Sequence, residues 1–187
     1  RTAYGEVVLA AIGRVPNTDA DWFHSSGLKL DERGYVTVDG YGRTNLDGVW
    51  ALGDITPGHA LAHRAFEQGI TIAEKIAGAD PKPVLDDTVP QVVFSFPEAA
   101  SVGLTLDQAK AREDVVEPKE TAYPMLSNAR MLMSGEGGSM TVVSGAFANN
   151  PDMQVVLGVH IVSPIASDLI AEAEQLVGNR VPLADAA

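Results

Sequence analysis

The sequence predicts an α/β segment followed by an α+β domain, and three patterns lead to this prediction. The first part contains short apolar runs without alternation that end at glycine turns, which is typical of strands buried on both faces of a parallel sheet. A stretch rich in Pro and Asp at residues 78–90 breaks the apolar periodicity and indicates a domain boundary. Beyond it, β-rich and amphipathic segments predict helices packed against an antiparallel sheet.

Two buried strands and one hairpin arm are expected in the first part. Residues 6–12, "EVVLAAI", are predicted to form a strand that stops at "GRVPN"; a buried helix is the alternative, and the short length of the run argues against it. Residues 49–52 are predicted to form a second buried strand, which ends at Gly53 and Asp54. Residues 35–38 follow an Arg-Gly turn and predict a short strand or hairpin arm.

A helix is predicted between residues 61 and 76, where apolar residues recur at helical spacing and form one broad face. Phe66 and Ile70 belong to this face, whereas polar residues such as Gln68 are expected to lie mostly off it. Gly78 is expected at the C′ position, just past the end of the helix.

The second part is predicted to combine strands with two helices. "TLDQAKARE" begins with a Thr-x-x-Gln capping box, and residues 167–177 are amphipathic. Strands are predicted at residues 91–96, 139–148 and 153–162, with a hairpin turn at 149–152.

Composition excludes several kinds of function. The net charge of −12 argues against a nucleic-acid partner, which needs a basic face. No apolar run reaches the roughly 20 residues of a membrane helix, so no membrane partner is expected. The absence of cysteine excludes a disulfide, a thiolate metal site and a thiol nucleophile within these residues, and it is consistent with a cytoplasmic location. His24 and His59 belong to no recognised metal-binding motif in the sequence, so no metal is expected.

Asp54 is the first candidate for a binding residue. Open parallel sheets bind ligands at the carboxyl ends of their strands, where Asp54 would lie after residues 49–52. A carboxylate there can accept hydrogen bonds from sugar hydroxyls. A turn or N-cap aspartate explains the spacing equally well.

Four segments in the same order resemble the pyridine nucleotide-disulfide oxidoreductases: "VVLAAIGRVPN", "GYVTVDGYGRTNLDGVWALGD", "LAHRAFEQG" and "PQVVFSFPEAASVGLTLDQAK". The third segment is most similar to the branch of the family that oxidises dihydrolipoamide with NAD, through a redox disulfide and FAD. The resemblance implies the end of a dinucleotide-binding, Rossmann-like flavoprotein core followed by an α+β dimerisation domain. A sibling reductase with another disulfide substrate and a cofactor-free dimerisation module are the alternatives.

The resemblance also implies a division of the chain. Residues 1–46 would end the NAD-binding domain, residues 47–86 would return to the FAD-binding domain, and residues 87–187 would form most of the dimerisation domain. The family's redox cysteine pair and its catalytic histidine have no counterpart in these residues. We therefore expect a fragment of an enzyme without catalytic residues of its own, a homodimer, and components of 2-oxo acid dehydrogenase complexes as further partners.

The same resemblance assigns FAD-binding residues. Asp54, in the turn that begins at Gly53, would bind the ribitol chain of FAD. Ala62, flanked by Leu61 and His63, would place the start of a helix at the flavin edge that gains negative charge on reduction.

Gly13 and Arg14 in "AIGRVPN" would approach NAD, the second cofactor that the resemblance implies. Glycine permits close backbone approach, and a plain turn at the end of a strand is the alternative. Two further sets are interpreted as packing: His160, as a core histidine with satisfied hydrogen bonds, and the methionines Met125, Met131, Met133 and Met140.

Overall fold

The computed structural model describes residues 4–186. The chain forms two compact units, residues 1–84 and 85–187, and the boundary lies within the stretch rich in Pro and Asp. The finer division of the first unit into NAD-binding and FAD-binding segments stays a prediction.

The first unit is built from two helices and several turns. Helix α1 spans Asp21–Ser25 and helix α2 spans Ala62–Ile76, with a 3-10 turn at Gly53–Ile55 between them. Two isolated antiparallel bridges, between Leu30 and Val36 and between Arg43 and Trp50, hold the intervening chain. The core is small and consists of buried Phe23, Val36 and Ala51, with Leu28, Leu30, Val38 and Ile55 packed around them.

The predicted strand at residues 6–12 is wrong. These residues form no strand, and the side chains of Val7, Val8, Leu9 and Ile12 are 87–98% exposed. A strand is stable only when a neighbour accepts its backbone hydrogen bonds and covers its side chains. Within residues 4–84, no strand lies beside this run.

The predicted buried strand at residues 49–52 is also wrong. The segment is extended and joins the fold through the single bridge at Trp50. Ala51 is buried, whereas Val49 and Leu52 are each 38% exposed, so only one face is covered. The hairpin arm predicted at residues 35–38 is confirmed only as one antiparallel bridge, in which Val36 pairs with Leu30 and is fully buried.

Helix α2 confirms the predicted helix and its end. Gly78 has φ +87° at the C′ position and donates its N–H to Lys75 O at 3.2 Å. The N–H of Ala79 reaches Glu74 O at 2.9 Å, and the pair of bonds forms a Schellman motif.

The apolar face predicted for α2 is confirmed only in part, because Ile72, which belongs to that face, is buried. Its buried residues are Arg64, Thr71 and Ile72. Phe66 and Ile70, predicted to face the core, are 73% and 54% exposed. Hydrophobic spacing detects the helix, but within the described unit α2 buries only part of its apolar face, and polar side chains of the helix also bind a neighbouring loop.

The second unit confirms the predicted α+β fold. All strands of its five-stranded sheet pair antiparallel, in the order β1-β2-β5-β4-β3. The strands are β1 Gln91–Val93, β2 Glu98–Gly103, β3 Val115–Pro124, β4 Ser139–Phe147 and β5 Asn150–Ser163, and the helices are α3 Leu106–Ala111, α4 Ala129–Ser134 and α5 Ala166–Gly178.

Two apolar clusters stabilise this unit. The larger cluster joins the sheet to α5 through residues such as Val102, Ile161 and Ile170. The smaller cluster joins the sheet to α3 and contains Ala109 and Val143. The predicted capping box begins α3: Gln108 N–H donates to Thr105 Oγ1 at 3.3 Å, and Thr105 N–H donates to Gln108 Oε1 at 2.9 Å.

Several details of the second unit differ from the predictions. The hairpin between β4 and β5 turns at Ala148 and Asn149, so Pro151 already belongs to β5. β1 ends at Val93, where its pairing with β2 stops. Strands β2 and β3 were not predicted, because β2 is short and rich in small residues, and β3 is a polar edge strand that carries proline.

The packing roles are confirmed with one exception. His160 Nδ1 lies 2.7 Å from Ser101 Oγ and its Nε2 lies 3.2 Å from Leu104 O, so both ring nitrogens have partners. Met125 and Met131 are buried, and Met140 packs against the same cluster. Met133 is 87% exposed, so its predicted packing role is wrong within the described residues.

Candidate functional site

Asp54 lies in the 3-10 turn Gly53–Ile55 rather than at the end of a regular strand. Gly53 is buried with φ +72°, a conformation that favours glycine. A Cβ at Gly53 would lie 3.3 Å from Ala65 Cβ on α2, so the turn and the helix are in close contact. Thr56, which is 2% exposed, closes the turn by donating its hydroxyl and its N–H to Gly53 O at 2.8 and 3.0 Å.

Two residues of α2 hold the turn, and neither of them was predicted to belong to the site. Gln68 Oε1 accepts the N–H of Gly53 at 2.8 Å. Arg64 Nη2 donates to Pro57 O at 2.6 Å. Their spacing of four residues on one helix was the available signal, because it places both side chains on the same face.

The structure brings Asp54 and Arg14 together, although the resemblance assigned them to different cofactors. Asp54 Oδ2 lies 3.5 Å from Arg14 Nη2, and the two side chains are 53% and 79% exposed. An ion pair this exposed contributes little to stability. The Asp54 carboxylate is therefore accessible to a ligand at small cost.

The other predicted residues lie at the start of α2 and in the loop before Arg14. Leu61 is the N-cap of α2 and gives no side-chain cap, and Ala62 and His63 begin the helix with exposed side chains. Gly13 has φ +130°, and no atom within the described chain would lie within 4 Å of a Cβ there. Conformation rather than crowding therefore explains this glycine.

Residues 4–186 contain neither a candidate metal site nor a candidate membrane-spanning helix. No group of three or more His, Cys, Asp or Glu side chains in that range could hold a metal ion. None of the helices described there combines the length and apolarity needed to cross a bilayer.

The chain belongs to the pyridine nucleotide-disulphide oxidoreductases. The model of that family matches residues 1–69, and the model of the family's dimerisation domain matches residues 89–187. The match to the dimerisation domain covers nearly the whole second unit.

Similar proteins include dihydrolipoyl dehydrogenases. Those of Cupriavidus necator and Geobacillus stearothermophilus are 42% identical over 168 residues and 40% identical over 174 residues, which cover 89% and 92% of this chain. The chain spans about a third of these relatives, 34% and 35% of their lengths. Among solved structures, LpdA from Mycobacterium tuberculosis matches 94% of this chain and 37% of its own, with a TM-score of 0.81 and 32% identity.

Proposed function

We propose that this chain supplies flavin-binding and dimerisation parts of an FAD-dependent enzyme that oxidises dihydrolipoamide with NAD. The observation that carries the proposal is the accessible Asp54 carboxylate on a buried, hydrogen-bonded turn beside α2, within the segment that matches the family. The names of the similar proteins support the choice of dihydrolipoamide as substrate.

The residues present fit FAD. A charged carboxylate is a strong acceptor for the hydroxyls of the ribitol chain, and Asp54 presents one. The positive end of the dipole of α2 begins at Ala62, flanked by Leu61 and His63, where it would favour negative charge on a reduced flavin. When bound, FAD would carry electrons between a dithiol and NAD.

Gly13 and Arg14 are proposed to contribute to NAD binding. The ion pair between Arg14 and Asp54 supports this proposal, because a second dinucleotide would have to approach beside the proposed flavin residues.

The thiol chemistry of this reaction lies outside these residues. Oxidation of a dithiol substrate by thiol–disulfide exchange requires a redox-active disulfide in the enzyme, and the 187 residues contain no cysteine. We therefore expect no dihydrolipoamide-dependent reduction of NAD by the purified chain. Reduction of NAD above background would contradict the proposal that the thiol chemistry lies outside these residues.

We propose self-association as a homodimer through the second unit. Large apolar side chains stay exposed there, including Phe94 and Phe96 at 79% and 82% and Leu132 and Met133 at 65% and 87%. Obligate interfaces are more apolar than ordinary surface, and the match to a dimerisation domain supports this use. Light scattering coupled to size exclusion should give twice the mass of the chain at micromolar concentration, and a monomer mass would contradict the proposal.

The flavin assignment is tested by Asp54→Ala in a preparation of the protein that retains FAD. Loss of the charged acceptor leaves ribitol hydroxyls unpaired, so FAD should bind about ten- to a hundredfold more weakly, without unfolding. Asp47→Ala, which removes another exposed aspartate of the same unit, is the control and should bind FAD like the parent. If dialysis removes FAD equally from all three proteins, Asp54 is wrongly assigned.

A further inference from the structure

The loop that carries Asp54 is held at both ends by one helix. Gln68 binds the N–H of Gly53 at 2.8 Å, and Arg64 binds the carbonyl of Pro57 at 2.6 Å. Residues four apart on a helix lie one above the other. The two side chains of α2 therefore span the loop from its first residue to its last.

The burial of Arg64 restricts the contacts that its side chain can make. Arg64 is 5% exposed, although a charged side chain is almost never buried without a hydrogen-bonding partner. Its bond to the Pro57 carbonyl is charge-assisted, which makes it stronger than a neutral one. Moving the loop away from α2 would therefore either expose the guanidinium to solvent or cost it its hydrogen bond to Pro57.

The backbone between the two ends is fixed as well. Thr56 donates two hydrogen bonds to Gly53 O, and Ile55 O accepts the N–H of Val36 at 2.8 Å. Asp54 is different, because its side chain extends into solvent and is 53% exposed. The loop therefore presents one exposed carboxylate from a backbone with little freedom.

We propose that Arg64 and Gln68 are positioning residues that set the direction of the Asp54 carboxylate toward the hydroxyls of FAD. This inference rests on the proposed function and extends it to residues of α2 that do not touch the flavin themselves. A preorganised acceptor binds more tightly because its ordering cost is met during folding rather than on binding.

The first experiment needs no flavin. In the chain alone, Gln68→Leu should accelerate hydrogen exchange of the Gly53 amide about three- to tenfold, since it removes the acceptor and keeps the size. Gln68→Glu keeps an acceptor oxygen and should exchange at the parent rate. Glu74→Leu, an equivalent change at an exposed position of α2, is the control and should also match the parent. An unchanged Gly53 rate in Gln68→Leu would overturn the inference.

The second experiment uses the flavin-retaining preparation. Gln68→Leu should weaken FAD binding about three- to tenfold, Gln68→Glu should restore it, and Gln68→Leu should add nothing in an Asp54→Ala background. Arg64→Lys keeps the buried charge but loses the planar guanidinium, so it should also weaken FAD binding.

The two possible failures are distinguishable. If Asp54→Ala weakens FAD binding and Gln68→Leu does not, the positioning role is wrong and the proposed function stands. If Asp54→Ala leaves FAD binding unchanged, the flavin assignment fails and the positioning role toward FAD fails with it.

Discussion

The two units satisfy their backbone hydrogen bonds in different ways. The second unit does so through a five-stranded sheet with an apolar cluster against each of two helices. The first relies on α2, on two isolated bridges and on side chains that bind loop backbone, while residues 7–12 stay exposed. The contrast shows that a helix can form from local signals, whereas a strand needs a neighbour.

The candidate site lies in the less regular unit. Its geometry comes from bonds between side chains and backbone at Gly53, Thr56 and Pro57 rather than from a sheet. Binding residues commonly lie on loops supported by a rigid element, and α2 is that element here.

The largest expected difference between the units is in hydrogen exchange. Amides in the centre of β5, which is paired on both sides, should exchange roughly a thousandfold or more slowly than amides at residues 7–12. Mass spectrometry or NMR of the chain measures both sets at once. Comparable protection in the two regions would contradict the contrast.

Truncating matched isoleucines in the two units should give the next largest effect. Ile161 is 1% exposed inside the larger cluster, so Ile161→Ala should lower the free energy of unfolding by about 2–5 kcal/mol. Ile12 is 98% exposed, so Ile12→Ala should change it by less than about 0.5 kcal/mol. Denaturant titration of both variants measures the difference, and equal losses would show that residues around 12 are packed.

The sequence predicts those elements whose signals are local. The capping box at Thr105, the C′ glycine at Gly78 and the hairpin between β4 and β5 were predicted from a few adjacent residues. The strand at residues 6–12 was predicted wrongly, because an apolar run does not reveal whether a partner strand lies beside it.

The candidate site could be predicted only in part. Asp54 was found from its place after an apolar run and from the family resemblance, and its role stays a proposal. Arg64 and Gln68 were missed because their contacts are to loop backbone that folds back onto α2, and hydrophobic spacing does not encode such contacts. The cytoplasmic location and the 2-oxo acid dehydrogenase partners also stay predictions.

Glu98, where β2 meets α5, is expected to make the stability of the fold depend on pH. The N–H of Ser167 donates to Glu98 Oε2 at 2.8 Å, and this bond lowers the pKa of the carboxyl below its ordinary value. The ionised form therefore stabilises the fold at pH values above the ordinary glutamate pKa, and the stabilisation disappears as pH falls through the lowered pKa. Thermal melts should rank the parent above Glu98→Gln at pH 7, with the gap closing in acid. A gap that persists below that pKa would mean that Glu98 acts by packing.

The smallest expected effect is a gain in stability rather than a loss. Gly69 lies inside α2, and no neighbouring atom among residues 4–186 would lie within 4 Å of a Cβ there. Gly69→Ala should stabilise the chain by about 0.5–1 kcal/mol, because alanine loses less backbone entropy in a helix. A destabilised variant in denaturant titration would indicate that α2 is crowded on that side.

The most direct test of the account compares backbone amide NMR spectra of the protein with and without FAD. We predict that the amides of Gly53, Asp54 and Ala62 shift when FAD binds, while the amides of strand β5 stay in place. Saturation with FAD that leaves residues 53–63 unshifted would contradict the claim that the Asp54 turn and the start of α2 bind the flavin.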